Sequence, residues 1–371
     1  MYIRRLHLIQ FRNYDELQLE LSEGINCFTG PNGAGKTNVL DAIHYLAFTR
    51  GFRASQDVQA VQKGANFFFN GADLVKNGQD RKVQCNFQRG KGKKIMVDQQ
   101  PLKKMSEHIG YIPLVAILPH DTDLINGPSA GRRQFMDMLI SQYDAVYLRN
   151  LIQYNRVIEQ RNALLRMFAS QGHVDEDQLE LWNMQMVPLG IAIQLKRAEF
   201  AEMFMPVFRE YFKQIVSDLE VPTIRYNPNV PEPTEEAWNK ALKEKEARDL
   251  INQYTGLGVH RDDLSFQIDQ RSVRNYGSQG QQKTFVISLK LAQYALLQQQ
   301  KDQPPILLLD DIFDKLDQHR LARIAGIMDE VIQGQIFITD TSLERMRQVF
   351  KESKRDISFF QVENGKASKV E

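Results

Sequence analysis

Eight consecutive residues, Gly30-Pro31-Asn32-Gly33-Ala34-Gly35-Lys36-Thr37, fit the pattern G-x-x-x-x-G-K-[ST] and sharply limit what the chain can fold into. A short apolar run with Ile25, Cys27 and Phe28 leads into them, and Val39, Leu40, Ile43 and Leu46 follow at helical spacing. Strand, glycine loop and helix in that order predict an α/β protein whose loop curls its backbone N–H groups around phosphate, with the helix N-terminus behind them. In such a loop Lys36 reaches the β- and γ-phosphates and Thr37 ligates Mg²⁺. A glycine turn before an ordinary helix is the alternative. It gives no reason for Lys and Thr to follow Gly35.

A second segment narrows the chemistry. Pro304-Pro305 precedes Ile306-Leu307-Leu308-Leu309-Asp310-Asp311, a buried parallel strand with two carboxylates at its C-terminal end. Ligands of open α/β sheets collect beyond that end, so Asp310 is expected in the Mg²⁺ shell and Asp311 beside the attacking water. A turn or cap acid explains one Asp, not two.

A third segment, Tyr276-Gly277-Ser278-Gln279-Gly280-Gln281-Gln282-Lys283, stands one helix length before the acidic strand. Phe285, Val286, Leu289, Leu291, Ala292 and Leu296 give the following helix an apolar side, and Ser278, Gly280, Gln281 and the helix N-terminus form a second anion corner. A plain helix cap is again the alternative. In ATP-binding-cassette proteins such a corner closes on the γ-phosphate of ATP held by another subunit, so dimerisation depends on ATP.

These segments together resemble the RecF DNA replication and repair proteins, relatives of the structural-maintenance-of-chromosomes ATPases, over nearly the whole chain. Phe11-Arg12-Asn13-Tyr14 resembles the family's first turn and Gly30 to Asn38 its phosphate loop. Pro119, Asp121 to Leu124, Gly127-Pro128 and Arg132-Arg133 resemble the stretch before its helical lobe. His260-Arg261-Asp262-Asp263-Leu264, Ser278 to Lys283, and Asp310-Asp311 with Phe313, Leu316 and Asp317 resemble its H-R-D-D-L segment, signature, and acidic strand with D-loop. Asp311 stands where cassette proteins usually place Glu, and the shorter side chain suits slow hydrolysis. No His falls at Ile338-Thr339-Asp340-Thr341, which leaves Thr339 or Asp340 as sensor candidates, and Pro119 to Asp123 holds no Q-loop glutamine.

The resemblance implies an α/β, P-loop ATP-binding-cassette-type ATPase core with a largely helical second lobe inserted. Lobe I is expected over 1–125 and 300–371, and lobe II, carrying the signature, over 126–299. It implies ATP and Mg²⁺ as cofactors and an ATP-dependent homodimer on single-stranded and gapped double-stranded DNA. RecR and the RecA system are the implied partners, in recombinational repair, replication restart and the SOS response. An architectural cassette with vestigial hydrolysis and another P-loop NTPase, such as a small-molecule kinase, are the alternatives. The kinase has no use for a second phosphate corner.

Composition bears on compartment and partners. The 371 residues, 42% hydrophobic, suffice for a large core, and Cys27 and Cys85 have unrelated surroundings that suit a reducing compartment rather than disulfides or zinc. Arg4, Arg5 and His7 interrupt the apolar N-terminus, and no run of about 18 apolar residues occurs, so a cytoplasmic protein without membrane insertion is expected.

Net charge is only +1, which moves the question of a polyanion partner to local charge. Arg81, Lys82, Arg89, Lys91, Lys93, Lys94, Lys103 and Lys104 face one acid, Asp98, and Gly90 and Gly92 put a turn among them. A basic hairpin tip along a phosphate backbone is one reading and a solvated hairpin the other. Arg50, Arg53, Arg132 and Arg133 are further DNA-contact candidates. From Asp144 to Glu220 the periodicity predicts an antiparallel helical hairpin turning at Ala169 to Gly172. That hairpin is too short for the long coiled coil of chromosome-tethering relatives. A proline-bearing connector over Asn227 to Thr234 and a charged helix over Glu235 to Gln253 follow.

Overall fold

The computed structural model describes residues 1–52, 56–216, 220–312 and 318–370, with only the backbone described over 318–322. The D-loop residues Phe313, Leu316 and Asp317 and the DNA-contact candidate Arg53 lie outside the described residues.

The chain opens with β1 (Tyr2–Phe11), β2 (Tyr14–Glu20) and β3 (Ile25–Thr29), then α1 (Lys36–Phe48). An antiparallel run follows: β4 (Phe67–Lys76), β5 (Gln79–Gln88), β6 (Gly92–Val97) and β7 (Gln100–Pro101), and then β8 (Leu114–Ile117). Strands β2-β1-β4-β5-β6-β7 form one six-stranded sheet. The basic stretch folds as the expected hairpin, with Gln88 opposite Gly92 across its tip.

The middle of the chain is mostly helical, with α2 (Asp123–Asn126), α3 (Ser129–Tyr143), α4 (Ala145–Gln171) and α5 (Glu176–Ile215). Asp144 and Asp175 cap α4 and α5 by accepting the Tyr147 and Gln178 N–H groups, and Gly172 ends α4 at φ 68°. The expected helical hairpin is therefore α4 and α5. Next come β9 (Pro222–Asn227), α6 (Glu235–Asn252), β10 (Asp263–Ile268), β11 (Arg271–Ser272), α7 (Val273–Tyr276) and α8 (Gln279–Lys301). Thr234 caps α6, and β9 to β11 make a three-stranded antiparallel sheet. Sequence periodicity did not separate β9 from its surroundings.

The chain then returns through β12 (Ile306–Asp310), α9 (Gln318–Glu330), β13 (Ile336–Asp340), α10 (Leu343–Val349), β14 (Ile357–Glu363) and β15 (Lys366–Val370). These close the second six-stranded sheet, β15-β14-β3-β13-β12-β8, parallel except at β15. Its strands β3, β13 and β12 are buried along their whole length, apolar in β12 up to Asp310 and in β13 up to Thr339, with Asn26 and Thr29 buried among the apolar residues of β3. Helix α1 contacts both six-stranded sheets, which is why eleven of its thirteen residues, including Val39, Ile43 and Leu46, are buried.

The contacts divide into two compact units, Met1–Asp121 with Ile287–Glu371, and Thr122–Val286. The division falls inside α8, so the second half of that helix belongs to the unit with both six-stranded sheets. Among the described residues, no helix is long and apolar enough to cross a membrane.

Candidate active site

Between β3 and α1 the backbone makes a turn that only glycine permits at two places. Gly30 takes φ 148° where a Cβ would lie 2.2 Å from the Val362 carbonyl oxygen, and Gly35 takes φ 120° where its own Cβ would lie 2.6 Å from the Asn13 side chain. Gly35 is also the N-cap of α1 and no side chain caps that end, so the first N–H groups of the helix face the loop.

Two residues of the opening turn brace the loop from outside. Asn13 donates to the Ala34 carbonyl at 2.9 Å and accepts from Asn38 at 2.7 Å, and the buried Tyr14 hydroxyl donates to the Gly35 carbonyl at 3.0 Å. Arg12, at φ 57°, grips Asp41 of α1 at 2.6 Å, and Asp41 also accepts the Phe52 N–H at 2.8 Å. Phe11 to Tyr14 thus fixes both the phosphate loop and the chain that leaves α1. The family resemblance of this turn does not by itself disclose that bracing.

The Lys36 ammonium bridges the Gly30 and Pro31 carbonyls at 2.7 and 2.9 Å. Burial lowers its pKa, opposed by the charges of Asp311, Asp310 and Asp340. Those carboxylates converge on it because β12 and β13 are parallel and in register, pairing Asp310 with Thr339. The Thr37 hydroxyl donates to Asp310 Oδ1 at 2.7 Å, and the Thr339 hydroxyl donates to the same oxygen at 2.8 Å. Thr339 Oγ1 in turn accepts the Asp311 N–H at 2.9 Å. Hydroxyl and carboxylate oxygens meeting in this way suit a hard cation, so the donor set of Thr37 and Asp310 fits Mg²⁺. Asp340 is held by Arg345 at 2.7 Å and by the Ser342 N–H at 2.7 Å. The two sensor candidates are thus a threonine bonded to both acids and an aspartate bonded to arginine.

The remaining residues of the loop, Pro31, Asn32, Gly33 and Ala34, line one open cleft with Asn13 and the β14–β15 turn, Glu363 to Gly365. Asp121 accepts the Leu118 N–H at 2.7 Å and pairs with Lys290 of α8 at 3.0 Å.

The signature residues belong to the other unit. Ser278 N–H donates to Gln281 Oε1 at 2.9 Å while Gln281 N–H donates to Ser278 Oγ at 3.2 Å, a reciprocal capping box that starts α8. The Gly280 carbonyl accepts from Thr284 at 2.9 Å. Ser278 is exposed and Gly280 and Gln281 are half-buried.

Several basic candidates are engaged inside the fold. Arg132 makes a two-pronged pair with Asp263 at 2.7 and 3.0 Å, and Arg133 donates to Ser129 and to the Asp262 carbonyl, both at 2.8 Å. They brace the H-R-D-D-L segment, with Arg197 and Asp262 buried beside them at 2.8 Å. On the hairpin, Arg81 pairs with Asp98, Lys82 with Asp73, and Lys93 turns inward to Asp57 and the Thr49 carbonyl. Arg89, Lys91, Lys94, Lys103 and Lys104 are exposed, as is Arg50. Alternation along β6 separates Lys93 from Lys94, a signal present in the sequence once the strand is known.

Against known proteins, residues 2–368 match the sequence model of the RecF/RecN/SMC N terminal domain. The chain is 42% identical over 366 residues to the DNA replication and repair protein RecF of Cytophaga hutchinsonii, covering 99% of this chain and 96% of that protein. It is likewise 42% identical over 360 residues to RecF of Flavobacterium johnsoniae, at 97% and 99% coverage. A solved structure of the recombination mediator protein RecF-ATP in the RecFOR pathway superposes with a TM-score of 0.90 at 28% identity, covering 100% of this chain and 98% of that one. An Smc head domain from Pyrococcus furiosus shares the fold at a TM-score of 0.57 and 15% identity. The α/β architecture is thus the cassette-type ATPase fold of RecF and Smc heads, and the chain belongs to the RecF family of DNA replication and repair proteins.

Proposed function

We propose that this chain is an ATP-switched DNA-binding protein that dimerises on ATP at single-stranded or gapped DNA and promotes RecA loading together with RecR. One observation carries the reading: Lys36, Thr37, Asp310, Asp311 and Thr339 converge on a glycine loop whose helix N-terminus has no side-chain cap. Family membership and a solved relative described as RecF-ATP of the RecFOR pathway support ATP as the nucleotide and recombinational repair as the setting.

The loop N–H groups and Lys36 hold the β- and γ-phosphates. Thr37 and Asp310 would hold Mg²⁺, which when bound neutralises charge developing on the phosphate oxygens. Asp311 orients and deprotonates the attacking water, and Thr339 fixes Asp311 through its N–H. Ser278, Gly280 and Gln281 close on the γ-phosphate carried by a second copy, so ATP joins the dimer and slow hydrolysis releases it. The exposed Arg89, Lys91, Lys94, Lys103, Lys104 and Arg50 offer charge for a phosphate backbone. The setting is cytoplasmic, in replication restart and the SOS response.

Sedimentation with ATP, ADP or no nucleotide, each with and without gapped DNA, tests the switch. A dimer is expected with ATP alone and a tighter DNA complex with ATP than with ADP. Equal sedimentation in all three nucleotide states would remove the switch.

A further inference from the structure

Glu220 lies outside every motif described above, yet it touches the signature corner. Its Oε1 accepts the Gln281 side-chain Nε2–H at 2.8 Å. Its Oε2 is buried and meets no hydrogen-bond partner among the described residues. The backbone beside it is fixed, because Val221 N–H donates to the Asp269 carboxylate and Asp269 N–H returns to the Val221 carbonyl, both at 3.0 Å. A buried oxygen without a partner is costly, and such a cost marks a group worth a functional account.

The account follows from donor and acceptor polarity. A carboxylate only accepts, so the Gln281 amide must turn its nitrogen toward Glu220 and its oxygen toward the Ser278 N–H. The flipped amide would set oxygen against carboxylate and nitrogen against N–H. The fixed amide oxygen holds the Ser278 backbone in place, where the Gln281 backbone N–H occupies a lone pair of Ser278 Oγ and leaves the exposed hydroxyl its proton to donate outward. A phosphate oxygen is the kind of acceptor that corner then suits.

We infer that Glu220 is a positioning residue of the signature corner, setting the polarity of Gln281 and through it the Ser278 hydroxyl that meets the γ-phosphate. This rests on the proposal that the corner works on a partner's ATP. A residue that merely ties β9 to α8 would affect melting of the nucleotide-free chain. A positioning residue affects ATP-dependent association.

The test is a swap. Gln281→Glu sets two carboxylates face to face and is expected to weaken ATP-dependent dimerisation about ten-fold, the scale of losing coupled side-chain hydrogen bonds. Adding Glu220→Gln restores a donor opposite an acceptor and is expected to return dimerisation to within about three-fold of the parent. Glu220→Lys, which only donates, is expected to weaken dimerisation while the subunit still binds a fluorescent ATP analogue like the parent. Mixed with Lys36→Ala, the Glu220→Lys chain should regain ATP hydrolysis, since it contributes an intact phosphate loop; a misfolded chain would not. Ser278→Arg serves as reference. If it loses ATP-dependent dimerisation while Glu220→Lys behaves like the parent, or if the swap fails to restore Gln281→Glu, the positioning role is wrong. If Ser278→Arg itself dimerises like the parent, the composite-site reading falls and the positioning role falls with it.

Discussion

At the scale of single residues, Asp311 sits at φ 51°, a conformation Asp tolerates better than most residues, with its N–H tied to Thr339. It follows Asp310, whose carboxylate already serves Thr37 and Thr339. If Asp310 serves the cation and Asp311 the water, as proposed, Asp311→Asn should keep ATP binding and dimerisation but lower turnover on the order of 10²-fold or more. Sedimentation of a stable ATP-bound dimer together with single-turnover hydrolysis checks this. Hydrolysis at the parent rate would remove Asp311 from the role. His260 gives a residue-scale prediction in pH. Its Nε2 faces the Thr255 carbonyl, which only accepts, so Nε2 carries the proton and Nδ1 accepts from Tyr154; burial depresses its pKa to about 4. The unfolded chain takes up a proton near pH 6.5 that the folded chain refuses. Stability is therefore full above that pH and falls as pH drops toward about 4, by up to about 3 kcal/mol for this group. Buried His44, also depressed to about 4, adds to the same slope. Denaturant unfolding across this range should show a flatter dependence for His260→Gln. The acids were legible in the sequence because a motif names them. Thr339 was visible only as a position, since its bond to Asp310 depends on the register between β12 and β13.

Among the elements, the turn between β1 and β2 does most to shape the site. Tyr14→Phe removes one buried hydrogen bond to the Gly35 carbonyl and should cost about 1 kcal/mol of stability. Because that carbonyl belongs to the loop itself, ATP affinity should also fall by a few-fold, read by titration with a fluorescent analogue. Unchanged affinity would mean that Asn13 braces the loop without it. The helices α1, α4, α5 and α8 were legible from apolar spacing, α6 as a charged run after a proline-bearing connector, and β3 and β12 from apolar runs. β9 was hidden because it is a short, half-exposed strand that begins at Pro222 and runs directly into the proline-bearing connector. The basic hairpin was legible as a hairpin, but not which lysines it exposes. Lys93 is drawn inward because it stands opposite Phe87 on the face that carries Val83, Cys85 and Ile95, and its neighbour Lys94 faces out.

For the whole molecule, the chain builds its phosphate loop and its signature corner in two different compact units, and α8 runs through both. No single motif discloses that separation. It follows from an insertion between β8 and α8 that carries its own helical core, within which buried Arg161 donates to Asp249 and to Thr255, both at 2.8 Å, and buried Arg197 donates to Asp262 at 2.8 Å. The separation allows the two halves of a composite site to be damaged independently. Ser278→Arg places a bulky guanidinium in the corner while leaving Gly30 to Thr37 unchanged, so the variant should bind ATP and remain monomeric. Lys36→Ala removes the direct partner of the β- and γ-phosphates and should lose ATP binding, with its own signature intact. A heterodimer of the two contains one intact loop facing one intact signature. Mixing them should therefore recover ATP hydrolysis that neither shows alone, up to about half the parent rate per dimer if the two sites act independently. If heterodimers form, by sedimentation, without any recovered hydrolysis, then the sites are obligately coupled or each ATP is completed within one subunit, and the composite site across the dimer is ruled out as an independently working unit.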